Sequence, residues 1–177
     1  MRIISEILCI FAPVLIINGM QEPVLNAHNK SEYPPAHTAE HILNQTMVRL
    51  YGCPRSRNSH VERKKSKLNY ELDVCPSPEE VQKIEDIVNG QIARCLPVTM
   101  EYVTRDNVPP EVSLEKLPGD ASATLRLVRV GDYDVCACIG THVENTSEIG
   151  HFRISSTSWT PGGDGQKGSF RIVFRLD

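Results

Sequence analysis

Residues 36–51 read AHTAEHILNQTMVRLY. Apolar side chains recur in this segment at the three- and four-residue spacing of a helix that buries one face. They are Ile42, Leu43, Met47, Val48 and Leu50. Pro54 follows shortly afterwards and closes the helical pattern. The first helix is therefore expected from about Ala36 to Tyr51.

A second helix is predicted after the sequence Ser77-Pro78-Glu79-Glu80. Ser77 is a typical N-cap residue, Pro78 suits the first helical position, and Glu80 completes a capping box. The apolar stripe that follows consists of Val81, Ile84, Val88 and Ile92. Pro97 ends this helix.

The remaining segments favour strands separated by turns. Strands are expected at residues 59–74, 98–103, 125–130, 133–138, 150–155 and 169–176. The two strands around residue 131 are joined at Gly131-Asp132, and residues 107–121 are expected to be an irregular connection with a short helical turn. The predicted class is α+β, an antiparallel sheet packed with helices, in a single domain over residues 20–177.

The composition is that of an ordinary globular domain. The chain has 177 residues, of which 40% are apolar and 23% charged, with a net charge of −3. The six cysteines have irregular spacings and include no CxxC pair, and a chain of this size needs no disulfide framework. We therefore expect reduced cysteines and a cytoplasmic protein.

Residues 1–19 are the exception to this pattern. The apolar run at residues 7–17 is too short to span a bilayer but suits the core of a signal peptide. Only Arg2 precedes the run as a basic residue, and no small-x-small cleavage site follows. We favour translation from Met20, with a mis-assigned start; export as a secreted metalloprotein is the alternative. No membrane partner is expected.

Two separated motifs predict a metal site. His37 and His41 are four residues apart, so their imidazoles share one face of the first helix. Cys138 and His142 flank a short turn that follows a predicted strand. Three imidazoles and one thiolate suit zinc better than magnesium or calcium. Cys136 shares the strand face of Cys138 and is an alternative ligand, although we expect it in the core.

Basic residues are concentrated between residues 55 and 67. This segment holds six of the 19 lysines and arginines, and the rest of the chain is strongly acidic. The six are Arg55, Arg57, Arg63, Lys64, Lys65 and Lys67. Such a strip is suited to a phosphate backbone, and we predict that it contacts tRNA. A solvated loop and strand edge is the alternative.

Together these motifs resemble the editing domain of alanyl-tRNA synthetases and its free-standing AlaX-type relatives, which are related to the threonyl-tRNA synthetase editing domain. The resemblance rests on His37-Thr38-Ala39-Glu40-His41 and on Cys138-Ile139-Gly140-Thr141-His142-Val143. It continues through residues 147–154, similar to the family's IGLFRI segment, and through residues 167–172, similar to its closing GVRRI. It covers about residues 36–176.

The resemblance implies a set of metal ligands, a reaction and a substrate. The metal ligands would be His37, His41, Cys138 and His142, and the reaction would be hydrolysis of the ester that joins a wrong amino acid to tRNA. The expected substrate is mischarged tRNA, with serine or glycine on tRNA for alanine. The chain has no Gly-rich phosphate loop, so no ATP site is expected in it and the protein would act in trans.

The role of the metal stays open at this point. Four protein ligands are typical of structural zinc, whereas catalytic zinc keeps a position for water or substrate. Backbone amides near Gly140 and Thr141 are candidates for holding the developing oxyanion. Thr141 and Ser59 are candidates for contacting a substrate hydroxyl, or else they bond only the local backbone.

Two residues depart from the family pattern: Ile139 replaces a glycine, and His151 replaces an apolar residue. Either change could alter substrate choice or mark a divergent relative. A non-catalytic, zinc-stabilised tRNA-binding module is one alternative function. A zinc hydrolase that acts on small esters or amides without RNA is another, and its activity would not depend on Lys64 and Lys65.

Overall fold

The computed structural model describes residues 33–112, 114 and 123–177. The apolar segment at residues 1–19 and most of the predicted connection at residues 107–121 lie outside these ranges. Two helices and seven strands are found in the described part of the chain. They are α1 (Pro34–Tyr51), β1 (Ser59–His60), β2 (Ser66–Leu72), α2 (Pro78–Ala93), β3 (Val98–Thr104), β4 (Thr124–Val130), β5 (Asp134–Ala137), β6 (Phe152–Thr160) and β7 (Gly168–Leu176).

The strands form two antiparallel sheets. One sheet has four strands in the order β1-β2-β7-β6, and the other has three in the order β3-β4-β5. The α+β class and the antiparallel pairing are confirmed, but the expectation of one sheet is wrong. Both edges of β7 are occupied by β2 and β6, while β3 and β5 pair with the two edges of β4. Strand propensity alone does not reveal which strands pair.

The predicted strand at residues 59–74 is interrupted by a turn. Ser66 closes this turn, since its hydroxyl donates to Glu62 O and accepts from Glu62 N, both at 3.2 Å. The result is a hairpin of β1 and β2, with the residues between them in the turn. The strand expected at residues 150–155 instead runs over Phe152–Thr160, with a bulge after Ile154.

The end of α1 and the start of α2 have identifiable causes. The N–H of Gly52 donates to Val48 O at 2.9 Å, and Gly52 has a φ of 62°. This left-handed residue caps α1 before Pro54 is reached. At α2 the Ser77 hydroxyl accepts from Glu80 N, and the Glu80 carboxylate accepts from Ser77 N, which confirms the predicted capping box.

One hydrophobic core joins both helices to the four-stranded sheet. Its fully buried members include Ile42, Leu43, Met47, Ile84, Val88, Leu68, Phe170, Ile172 and Phe174. Because β2 and β7 alternate buried and exposed residues, one face of this sheet packs on the core and the other is exposed in the part of the chain that is described. Val128 and Val130 bring the three-stranded sheet into the same core.

The structure also bears on the predicted cysteine state and on membrane association. Of the described cysteines, all five are free thiols: Cys53, Cys75, Cys95, Cys136 and Cys138. Neither of the helices within the described ranges combines the length and the apolar character needed to span a bilayer.

Candidate metal centre

Four side chains from two parts of the chain converge on one point. His37 and His41 project from α1, Cys138 follows β5, and His142 lies beyond a short turn. Their candidate ligand atoms all lie within 4.8 Å of one another. Cys138 Sγ is 3.4 Å from both His37 Nε2 and His142 Nε2. This cluster could hold a metal ion.

The burial of the cluster is uneven. His37 and His41 are 6% and 2% exposed, since α1 packs against β4 and β5. Cys138 and His142 are only half-buried. A small molecule would therefore approach the cluster from the side of the turn.

Hydrogen bonds orient two of the imidazoles. His37 Nδ1 donates to Thr141 O at 3.0 Å. The Thr38 hydroxyl donates its own proton to Pro34 O at 3.0 Å, so it accepts from His142 Nδ1 at 3.2 Å. With both Nδ1 atoms protonated, the Nε2 lone pairs of these rings are directed at the cluster, as in proteins that bind metals through histidine.

The third imidazole contacts a buried ion pair. His41 Nδ1 lies 3.3 Å from Asp134 Oδ2, although it makes no hydrogen bond of standard geometry. Arg55 donates to both carboxylate oxygens of Asp134, at 2.6 and 3.2 Å, and to His41 O at 3.5 Å. The Asp134 side chain is fully buried and that of Arg55 is 12% exposed. This arrangement leaves His41 Nε2 for a metal.

The four groups of the cluster have strongly perturbed protonation equilibria. Burial alone would raise the pKa of the Cys138 thiol, but hydrogen bonds from His142, His37 and His41 outweigh it and lower that pKa to about 2. Burial, together with the charges of His41 and His37, lowers the pKa of His142 to about 4. Burial alone would lower the pKa of His37 and His41, but hydrogen bonds to Cys138 and, for His41, to Asp134 raise the pKa of both rings. A metal ion that bound this cluster would therefore displace protons from these imidazoles.

Arg126 holds the turn between Cys138 and His142. Its Nε donates to Cys138 O at 2.8 Å, and its Nη2 donates to Gly140 O. The contacts to Gly140 and Thr141 from Arg126 and His37 all use carbonyl oxygens. Within the described residues, neither the N–H of Gly140 nor that of Thr141 donates to another protein group.

The predicted catalytic residues lie in two places. Gly140 is buried and Thr141 exposed, both in the turn next to the cluster. Ser59 lies in β1, where it lines a groove on the four-stranded sheet with Lys67 and Arg171. The proposed roles of all three stay predictions.

The six basic residues between positions 55 and 67 differ in their exposure. Arg55 is paired with Asp134 and its side chain is only 12% exposed; its contact with tRNA stays a prediction. The other five basic residues of the segment are exposed: Arg57, Arg63, Lys64, Lys65 and Lys67. The guanidinium of Arg63 lies 5.3 Å from the ring centre of Tyr33.

Several residues of the centre were not identified from the sequence. Asp134, Cys136 and Cys138 alternate along the chain, and this period of two would have placed Asp134 on the ligand side of its strand. Arg126 carries no such signal, because its role depends on pairing between β4 and the turn. Glu40 is 6% exposed, and its Oε1 accepts from Asn44 at 2.7 Å.

The two departures from the family pattern have different surroundings. Ile139 is half-buried within the turn. His151 is exposed, and its backbone pairs with that of Asp177 at 3.0 and 2.9 Å. Of the two departures, it is Ile139 that lies in the turn between Cys138 and His142.

The sequence matches known proteins in the region of this centre. Residues 125–173 match the family described as Threonyl and Alanyl tRNA synthetase second additional domain. The chain is 33% identical to the alanine–tRNA ligase of Bdellovibrio bacteriovorus over 128 residues, which are 72% of this chain and 14% of that protein.

Two further relatives give the same result. The alanine–tRNA ligase of Methanococcus vannielii is 33% identical over 139 residues, 75% of this chain and 15% of that protein. That of Hyperthermus butylicus is 36% identical over 121 residues, 67% of this chain and 13% of that protein. The chain thus spans about one seventh of the length of these relatives. The resemblance to alanyl-tRNA synthetases inferred from the motifs is confirmed.

Proposed function

Because the chain is a relative of the alanine–tRNA ligases over most of its length and contains their second additional domain, we propose that it hydrolyses mischarged aminoacyl-tRNA. The bond cleaved is the ester between a wrong amino acid and the terminal ribose. Serine or glycine on tRNA for alanine is the proposed substrate. The reaction takes place in trans in the cytoplasm and depends on zinc.

The observation that carries the proposal is the convergence of His37, His41, Cys138 and His142. With ordinary zinc bonds, tetrahedral nitrogen and sulfur ligands lie about 3.5 Å apart. The two distances from Cys138 Sγ to imidazole nitrogens are both 3.4 Å. The donor set, one thiolate and three imidazoles, also favours zinc over harder cations.

The proposed chemistry combines the metal with the adjoining turn. Zinc held by these four residues would polarise the ester carbonyl or lower the pKa of a bound water. The N–H groups of Gly140 and Thr141 would stabilise the negative charge that develops on the carbonyl oxygen. Thr141, exposed beside the cluster, is the proposed contact for a substrate hydroxyl, and Ser59 is a second candidate.

Buried side chains behind the ligands would keep this geometry fixed. Arg126 donates hydrogen bonds to carbonyl oxygens of the turn, and the Asp134 carboxylate lies next to Nδ1 of His41. Such supporting contacts keep ligands in place without touching the substrate. The acid–base group for the reaction would come from water or from the substrate amine.

A specific observation favours a second candidate function. The four clustered side chains would fill all four positions of a tetrahedral zinc, as in structural sites. A tRNA-binding module with structural zinc would have the same ligands and the same basic surface. The two candidates differ only in turnover.

The test is deacylation of three substrates: serine and glycine on tRNA for alanine, and serine on tRNA for threonine. The native protein is compared with the double variant Cys138→Ala/His142→Ala. A matched control is Cys75→Ala/His151→Ala, since both residues are exposed and lie outside the cluster. Release of the amino acid is measured from radiolabelled substrate.

We expect the native protein and the control to release serine or glycine from tRNA for alanine, and the double variant to be inactive. Absence of turnover by zinc-loaded native protein on all three substrates would refute the hydrolase and leave the binding module. Equal turnover of a small amino-acid ester would instead support a hydrolase that does not require RNA.

A further inference from the structure

The outward face of the four-stranded sheet is polar and basic. Lys67 and Asn69 on β2 and Arg171 on β7 point away from the core, because their neighbours on each strand are buried. Asn69 is the cross-strand partner of Arg171, and Arg171 Nε donates to Asn69 Oδ1 at 2.9 Å. These side chains form one contiguous patch from two strands that are about a hundred residues apart in sequence.

Two adjoining grooves follow this patch. One, of about 470 Å³, lies between residues 54–58, β2 and residues 166–169. The other, of about 320 Å³, lies along β1, β2 and Arg171. Asn58 and Asn69 line both grooves, so they form a single depression, here called the sheet trough.

The trough has the chemistry of a surface for polyanions. Its lysines and arginines are Arg55, which is paired with Asp134, and Arg57, Lys67, Lys167 and Arg171; the one acid among its described lining residues is Glu71. Lys167 also lies 3.2 Å from Asp73, but both side chains are exposed, and such a pair exchanges readily with solvent and ions. Amide groups at Asn58 and Asn69 add donors for phosphate or ribose oxygens.

The trough favours a nucleic-acid backbone over unstacked bases. No Phe or Trp is among the described residues that line the trough, Tyr70 is buried at 1% exposure, and the exposed ring of His60 is paired with Glu62 at 2.6 Å. Base stacking needs an accessible aromatic face, which Tyr70 does not offer. A surface that offers cations and amide donors, but no accessible aromatic face, is suited to binding phosphates and sugars.

The trough also lies next to the metal centre. Arg55 lines its larger groove, and the guanidinium of Arg55 bonds Asp134 and His41 O behind the ligands. At the other end, the exposed turn with Arg63, Lys64 and Lys65 continues the positive surface. A strand lying in the trough would thus run from the basic turn towards the metal centre.

We propose that the sheet trough binds the phosphate backbone of an RNA strand. This inference rests on the proposed function for the identity of the nucleic acid and extends it with a surface. Lys167 and Arg171, which lie far from the basic segment in the sequence, belong to the same surface as Arg57 and Lys67.

The test uses a fluorescein-labelled, uncharged tRNA that accepts alanine. Its affinity for the full chain is measured by anisotropy over a range of salt concentrations. The variant Lys67→Gln/Lys167→Gln/Arg171→Gln is compared with Lys83→Gln/Arg94→Gln/Arg129→Gln. The second variant removes the same charge from exposed or partly exposed sites away from the trough. Circular dichroism verifies that both variants are folded.

We expect the trough variant to bind at least tenfold more weakly at low salt. Three lost phosphate contacts would reduce the slope of log affinity against log salt by about two to three. The control variant should retain the native slope. Equal slopes for the two variants, or failure of the native protein to bind this tRNA, would overturn the proposal.

Two further arms identify the ligand and separate the proposals. Polyglutamate that competes as well as unlabelled tRNA would assign the trough to acidic proteins and overturn an RNA surface. Cys138→Ala/His142→Ala should bind uncharged tRNA normally if it is folded. The two proposals can fail separately. If the native protein hydrolyses no substrate, and only the trough variant binds tRNA more weakly, the RNA-binding surface is supported and the hydrolase function is refuted.

Discussion

The Arg55 guanidinium donates to both oxygens of the Asp134 carboxylate, and Asp134 in turn lies 3.3 Å from Nδ1 of His41. This ion pair is buried next to His41, one of the four clustered side chains, and connects the loop after α1 to the start of β5. A buried pair of this kind contributes to stability chiefly because either partner alone would be a buried, uncompensated charge. Asp134 therefore influences both the fold and the metal centre.

Asp134→Asn should weaken the protein in two ways. Removal of one member of a buried pair costs about 3–5 kcal/mol in the free energy of unfolding. Loss of a carboxylate behind a histidine ligand lowers metal affinity about 10- to 100-fold. Denaturant unfolding and competition with a zinc chelator measure the two effects.

Asp132→Asn is the matched control for this change. Asp132 also pairs with an arginine, Arg94, but its side chain is 71% exposed. Exposed pairs contribute about 0–1 kcal/mol. Equal losses for Asp132→Asn and Asp134→Asn would contradict the role given to the buried pair.

The same carboxylate predicts a pH dependence of stability. Burial alone would raise the pKa of Asp134, but Arg55 and His41 lower it to about 2. An aspartate in the unfolded chain has a pKa of about 3.9. The stabilisation is therefore complete above pH 4 and is lost as the pH falls towards 2.

This dependence is measurable as a difference between two proteins. With zinc removed by a chelator, the gap in unfolding free energy between native protein and Asp134→Asn should shrink between about pH 4 and pH 2. A gap that stays constant through this range would show that the Asp134 carboxyl is not perturbed.

The choice of sulfur ligand gives a third prediction. Cys138 Sγ lies in the converging cluster, whereas the Cys136 thiol contacts Ala137 O and has a pKa raised by burial. Purified native protein and Cys136→Ala should each contain one zinc per chain, and Cys138→Ala should contain far less. Elemental analysis decides this, and loss of zinc from Cys136→Ala alone would identify Cys136 as the ligand.

Arg126→Gln should impair the reaction while zinc is retained. The turn would lose the bonds from Arg126 to Cys138 O and Gly140 O, and small misplacements of reacting groups cost up to about 100-fold in rate. We expect kcat to fall 10- to 100-fold with KM little changed. Arg129→Gln, on the same strand and paired with Glu101, should keep the native kcat; a rise in KM alone would contradict this role for Arg126.

The clustering of His37, His41, Cys138 and His142 was predictable because each pair lies within one local sequence motif. The four-residue spacing of His37 and His41 is a property of one helix, and the Cys138–His142 spacing is a property of one turn. The capping box at Ser77 was equally local. Local patterns do not indicate that α1 packs against β5. The contact between His41 and Asp134 was therefore not predicted.

Arg55 shows the limit of reading charge from sequence. It belongs to a run of basic residues, and composition gave it the same role as Lys64 and Lys65. The buried Asp134 that binds it lies 79 residues away in the sequence. Likewise, Lys167 and Arg171 join the basic surface only because β7 pairs with β2. Sheet pairing, a long-range property, decides both cases.

The central claim is that the clustered His37, His41, Cys138 and His142 support zinc-dependent ester hydrolysis. The most direct measurement is the rate of serine release from serine-charged tRNA for alanine, before and after zinc is removed and restored. We predict that the chelator-treated protein, shown by elemental analysis to lack metal, is inactive and that added zinc restores the rate. Full activity of the metal-free protein would contradict the claim.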